Sequence, residues 1–272
     1  MPTISNSGLG EIAYRTRGEG DSALVFMHGW AGSGAYFDSM IDHVDPDLAY
    51  CVTLDFPGHG GSAEPPGPYS LDLLADTVVA VADAAGADTF IILGFSMSGK
   101  FAQYVTYRHP DRVLGQVLVA GCPAGPLALP TQLVEDWYSR AGDAERLRGV
   151  VRDCSTRPIP ADVMDAVGRD AARVSEPVLR QTMELCANSS LPSDSPGSQV
   201  LSLVVGGAHD WLFPPAVVRE VIAAPLTRAR VEILACGHEI PVEMPAELAT
   251  LVSAFVSERA GATGAGSVHG AV

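Results

Sequence analysis

The 272-residue chain predicts an α/β fold built on a mostly parallel sheet with helices on both faces. Three observations predict it: nearly continuous apolar runs recur along the chain, segments with helical spacing separate them, and residues capable of chemistry follow the runs. Ala23 to Met27 (ALVFM), Tyr50 to Leu54 (YCVTL), Phe90 to Leu93 (FIIL) and Val113 to Ala120 (VLGQVLVA) are rich in apolar and β-branched residues. Strands of this kind are buried on both faces, as in a parallel sheet.

In chain order, Gly8-Leu9-Gly10 reads as a hairpin turn, followed by the alternating segment Glu11 to Arg17 and a Gly-Glu-Gly turn, which gives a short antiparallel start. Helical spacing covers roughly Gly34 to Val44, Ser70 to Ala85 with Ser70 as N-cap, and Gly99 to His109, which halts at Pro110. Strand and helix alternating in this way imply right-handed crossovers between parallel strands. From Pro123 to Gly197 no buried-strand run occurs. Leu129 to Ala141, Asp143 to Asp153, Pro160 to Arg173 and Ser175 to Ala187 read instead as four amphipathic helices. They are expected to form an insertion over the sheet edge or to pack beside it, and the length of the strand-free stretch favours a cap. Asn188 to Ser198 reads as the return linker. The α/β rhythm resumes with strand Val200 to Val205, a helix from Pro214-Pro215 to Ala224, strand Arg230 to Leu234 and a last helix from about Pro245 to Arg259. The chain thus divides into a core (residues 1–122), a helical cap (123–197), a second core part (198–260) and a Gly/Ala/Ser tail (261–272) expected to be disordered.

The formal net charge of −15 disfavours nucleic acid and anionic membrane surfaces as partners. The N-terminus has neither a basic start nor an apolar stretch, and no run is long enough to span a bilayer, so a cytoplasmic protein is expected. Five widely spaced cysteines without a C-x-x-C pair argue against a disulfide framework or a zinc site, and most are expected to pack as small hydrophobes. Cys236, two residues before His238, is a candidate reactive thiol. No motif for a metal or an organic cofactor is present, and the partner expected is a small-molecule substrate.

The strand ends carry the chemistry. Phe90 to Lys100 (FIILGFSMSGK) outlines a strand, a sharp turn and a helix start around Ser96, close to the G-x-S-x-G form in which a strained turn lifts a serine hydroxyl clear of the sheet. Ser98 stands where the second glycine usually stands. His28-Gly29-Trp30, Asp55 to Ser62, Gly206 to Asp210 and Gly237-His238-Glu239 follow four other strands on the same sheet edge. A serine needs a base within hydrogen-bond reach and a group that orients the base. The chain supplies Ser96, an aspartate and a histidine in that order.

With HGW at 28–30, DFPGHGGS at 55–62, GFSMSG at 94–99, GGAHD at 206–210 and GHEIPVEMP at 237–245, the chain resembles the α/β-hydrolase fold family over nearly all of residues 8–258. The resemblance implies an eight-stranded sheet with the cap inserted after strand 6. It also implies Ser96 as nucleophile, His238 as base, Asp210 as orienting acid, and the backbone N–H groups of Trp30 and Met97 as the oxyanion hole. Asp55 is the alternative acid, though it reads better as a structural group of the Pro57 to Ser62 loop. His28 and His59 are expected to make structural hydrogen bonds, His209 to pack in its loop, His43 to be solvated and His109 to end a helix. Glu239 and Glu243 read as solvated or helix-capping. Lys100, at the start of a helix, calls for a carboxylate partner.

The expected substrate lining is Trp30, Met97, Leu212, Phe213 and Ile240, with Trp137 and Tyr138 from the cap. Such a lining suits a small or medium uncharged ester or lactone. Carbon–carbon bond hydrolysis is a second reading, weakened by Phe95 where similar meta-cleavage enzymes carry asparagine; cofactor-free perhydrolysis stands with it. A ligand-sensing protein with slow turnover is the alternative of another class, left open by Ser98.

Overall fold

The computed structural model describes residues 2–6, 10–64, 68–192 and 199–264, with side chains described up to residue 259. Most of the turn at Gly8-Leu9-Gly10, the middle of the linker before residue 199 and the end of the tail lie outside the described residues.

Eight strands form one sheet in the order β1-β2-β4-β3-β5-β6-β7-β8. β1 (Thr3–Asn6) pairs antiparallel with β2 (Gly10–Arg17), and β2 pairs antiparallel with β4 (Ala49–Leu54). The remaining pairs are parallel and join β3 (Ser22–Met27), β5 (Phe90–Phe95), β6 (Val113–Val119), β7 (Ser202–Gly207) and β8 (Ala229–Leu234). The near-continuous apolar runs are explained by the two layers they serve. Alternate residues of β3 go to opposite faces: Val25 and Met27 pack in the layer with α2 (Leu71–Ala84) and α3 (Met97–Arg108), while Leu24 and Phe26 pack in the layer with α1 (Asp38–Ile41) and α10 (Pro245–Gly264). Ser70 caps α2, its hydroxyl accepting the Leu73 N–H at 3.1 Å.

Between β6 and β7 lie four helices, α4 (Thr131–Tyr138), α5 (Ala144–Cys154), α6 (Ala161–Ala171) and α7 (Glu176–Asn188). The sequence places all four within a few residues of these bounds. Elsewhere the structure differs in detail. The stretch from Gly34 is a 3-10 turn (Gly34–Phe37) running into the four-residue α1, not one long helix. After the three-residue α8 (Pro215–Val217) the chain continues as a π-helix, Val218–Ala223. A short α9 (Ile240–Glu243) precedes α10, and α10 continues to Gly264, past the expected end at Arg259 and into the stretch expected to be disordered.

No helix among the described residues is long and apolar enough to cross a membrane.

Candidate active site

β5 ends at Phe95 and α3 begins at Met97, so a single residue makes the turn between them. That residue is Ser96, with φ +52° and ψ −117°, a left-handed conformation costly for a residue with a Cβ. Small neighbours allow the turn. A Cβ on Gly94 would lie 2.1 Å from the Ser98 carbonyl oxygen, and one on Gly99 only 2.4 Å from the Cα of Gly121, just past β6. The tight approach therefore falls on Gly94 and Gly99. Ser98 is fully buried and donates its hydroxyl to the His28 carbonyl, which ties the elbow to the turn after β3.

Asp210 and His238 reach Ser96 from just past the ends of β7 and β8, which pair with each other and are separated from β5 by β6. His238 Nε2 is 2.8 Å from Ser96 Oγ, and His238 Nδ1 is 2.8 Å from Asp210 Oδ2. Asp210 Oδ1 accepts the N–H groups of Leu212 at 2.8 Å and Phe213 at 3.1 Å. With Asp210 accepting at Nδ1, the ring presents Nε2 to the serine as a proton acceptor. Burial favours neutral forms of both groups, but their mutual attraction outweighs it. His238 is raised above the ordinary histidine value by the Asp210 charge and hydrogen bond, with help from Glu239 and Glu243. Asp210 is held below the usual carboxylate value by His238 and by the Phe213 and Leu212 amides.

Trp30 and Met97 line the same cavity as Ser96 and His238. Met97 is the first residue of α3, so its N–H has no acceptor within the helix. The Trp30 ring is fixed by its Nε1–H to the Leu179 carbonyl of α7 at 2.9 Å and packs 5.7 Å from Trp137. Leu212, Phe213 and Trp137 line the cavity as expected; the segment between β6 and β7 adds Leu129, Val150 and Met183. No Lys or Arg is among the lining residues.

Two expected lining residues lie elsewhere. Ile240, the first residue of α9, is fully buried among Leu203, Val205 and Leu248 on the far side of the sheet edge, because α9 turns the chain inward immediately after His238. Tyr138 is buried with its ring 6.2 Å from that of Trp30 and under the Arg180 guanidinium, 4.3 Å from its centroid.

Among the described residues Lys100 has no carboxylate partner. Its Nζ donates to the carbonyls of Gly125 at 2.7 Å, Ser189 at 2.8 Å and Cys186. Two of these acceptors belong to the C-terminal end of α7, where unpaired carbonyls and the helix dipole attract a cation as a carboxylate would. Glu239 and Glu243 are buried, not solvated. Glu243 organises the histidine loop, accepting the N–H groups of Gly237, Thr156, Arg157 and Glu239. Glu239 lines the cavity and receives the Tyr36 hydroxyl on Oε2. Neither Tyr36 nor Glu239 carries a sequence signal for this contact, 203 residues apart along the chain.

Asp55 accepts the Gly34 and Gly61 amides at 2.7 and 2.8 Å, the structural role expected of it. His28 accepts the Phe56 N–H on Nε2, and His59 bonds the Pro57 carbonyl. His43 is exposed, and His109 closes α3 beside Asp76. His209 is exposed too, so it does not pack in its loop. All five cysteines are free and buried. Burial pushes the Cys236 thiol up to about 12, which removes it as a nucleophile at neutral pH.

The chain is similar to the pimeloyl-[acyl-carrier protein] methyl ester esterase of Yersinia enterocolitica, at 36% identity over 113 residues, and this match spans only 42% of each protein. A longer match, 24% identical over 246 residues and covering 86% of this chain and 88% of the relative, is to 3-oxoadipate enol-lactonase 2 of Acinetobacter baylyi. Among solved structures, the enol-lactonase of Burkholderia xenovorans LB400 superposes with a TM-score of 0.80 over 94% of this chain and all of that one, at 23% identity, a likeness of fold. The family profile described as the alpha/beta hydrolase fold matches residues 22–169, more than half of the chain: the chain belongs to the α/β-hydrolase fold family.

Proposed function

We propose that the protein is a serine hydrolase that cleaves a small or medium uncharged carboxylic ester or lactone through an acyl-enzyme on Ser96. The observation that carries this reading is the unbroken line from Asp210 through His238 to Ser96, with both contacts at 2.8 Å and the serine facing an apolar cavity. In the first step Ser96 Oγ attacks the carbonyl carbon while His238 Nε2 takes its proton. The carbonyl oxygen gains negative charge and receives the Trp30 and Met97 amides, each such donor contributing roughly 10²–10³ in rate. The imidazolium then protonates the leaving oxygen as the bond to the carbonyl carbon breaks. Water attacks the acyl-enzyme with His238 again as base, and the proton returns to Ser96 as the acid departs.

A mainly apolar lining without Lys or Arg disfavours an anionic substrate, and the esterase and lactonase names of similar proteins support the reaction class. In this reading α4 to α7, within residues 123–197, act as the cap: with Leu129 from the segment leading into α4, they lay Trp137, Val150 and Met183 over the serine. The Cys154 carbonyl at the end of α5 accepts the His238 N–H at 2.8 Å, so the cap also holds the histidine loop. Ser96→Ala should lose nearly all hydrolysis of p-nitrophenyl acetate while folding normally; turnover at the parent rate would refute the assignment.

A further inference from the structure

Glu239 stands immediately after the histidine and faces the same cavity, yet the acyl-transfer steps do not use it. Its carboxyl is buried, and the groups acting on it are Tyr36, His238, Glu243 and Asp210, with no Lys or Arg among them. Tyr36 lies flat against Phe95, ring centroids 5.3 Å apart at 13°, and Phe95 in turn lies 5.5 Å from the His238 ring. This row of rings fixes the Tyr36 hydroxyl, which occupies Glu239 Oε2. Oε1 has no protein partner among the described residues, in a cavity whose other polar side chains are those of Ser96, His238 and Tyr36 among a mainly apolar lining.

Resting on the ester-hydrolase reading, we propose that the Tyr36–Glu239 pair is the specificity determinant of the leaving-group side of the cavity, selecting alcohols that carry a second hydroxyl and rejecting those that carry a carboxylate. The leaving oxygen must take its proton from His238 Nε2, so the alcohol portion lies beside the histidine and within reach of the residue that follows it. A hydroxyl there completes the open Oε1 valence. A carboxylate there meets a buried carboxyl with no Lys or Arg beside it, and loses its water with little compensation. Burial, Glu243 and Asp210 push the Glu239 carboxyl up from its ordinary value against the opposing pull of His238 and the Tyr36 hydrogen bond.

The test compares kcat/KM for three matched acetates, of a short straight-chain alcohol, its ω-hydroxy analogue and its ω-carboxy analogue, in the parent protein and in Glu239→Leu, Glu239→Gln and Tyr36→Phe. The parent should rank hydroxy above alkyl above carboxy. Glu239→Leu should lower the hydroxy-to-alkyl ratio about tenfold, the effect of one buried hydrogen bond, and raise the carboxy-to-alkyl ratio by a similar factor. Glu239→Gln should keep the hydroxyl preference and relax the carboxylate rejection, and Tyr36→Phe should weaken the hydroxyl preference; these two carry the test if the leucine variant does not fold. Ratios that stay at the parent values in all three variants would overturn the proposal. No turnover of any acetate by the parent protein, or turnover that survives Ser96→Ala, would instead overturn the hydrolase reading beneath it.

Discussion

Asp210 and His238, delivered by the ends of adjacent parallel strands, meet at 2.8 Å between Oδ2 and Nδ1, and each moves the other's proton affinity against the direction that burial alone would give. Because His238 must be neutral to accept the serine proton, kcat/KM should fall as pH drops through its value in the folded protein, and the midpoint of that limb should lie above the ordinary 6.5. Asp210→Asn removes the strongest opposition to burial. Its acid limb should move to lower pH, and kcat should fall about 10⁴-fold.

The same pair makes stability depend on pH. Asp210 is depressed in the folded chain, so its contribution is present above its ordinary 3.8 and is lost as pH falls through the folded value. His238 is raised, so its contribution is present below 6.5 and is lost as pH rises through the folded value. Urea unfolding across pH should therefore show a smaller stability loss below about pH 3.8 in Asp210→Asn than in the parent.

Gly99 has no room for a side chain. A methyl group there would press on the Gly121 backbone at 2.4 Å and push α3 from the end of β6, with Ser96 only three residues away. Gly99→Ala should lower the urea-unfolding free energy by about 1–3 kcal/mol and reduce kcat more than KM.

Lys100 joins α3 to the end of α7 through three carbonyls. Lys100→Met would leave those oxygens without the cation, at a cost of about 3 kcal/mol, or about 5 °C in Tm for a chain of this size. Thermal unfolding checks this, and an unchanged Tm would show that the carbonyls find other donors.

The elements that could be read from the sequence were those whose signal is local. Strands buried on both faces announce themselves as unbroken apolar runs, and the turn at Ser96 needs small residues at fixed offsets. Asp210 falls just past the fully buried β7, and His238 just past β8, whose half-buried, charge-interrupted pattern is a weaker signal. The unread parts depend on partners distant in the chain. Lys100 looked like a cation lacking a carboxylate because the α7 carbonyls that hold it lie 86 to 89 residues away. Glu239 looked solvated for the same reason, since only folding sets Tyr36 against it. Ile240 sits at the start of a four-residue helix and packs into the core, a placement that the apolar pattern alone does not register.

The central claim is that Ser96 is the nucleophile, and covalent labelling tests it most directly. A fluorophosphonate probe incubated with the folded protein and followed by peptide mass spectrometry should place a single stoichiometric adduct on Ser96, prevented by Ser96→Ala and strongly slowed by His238→Ala. An adduct on another residue, or none on folded protein, would contradict the account.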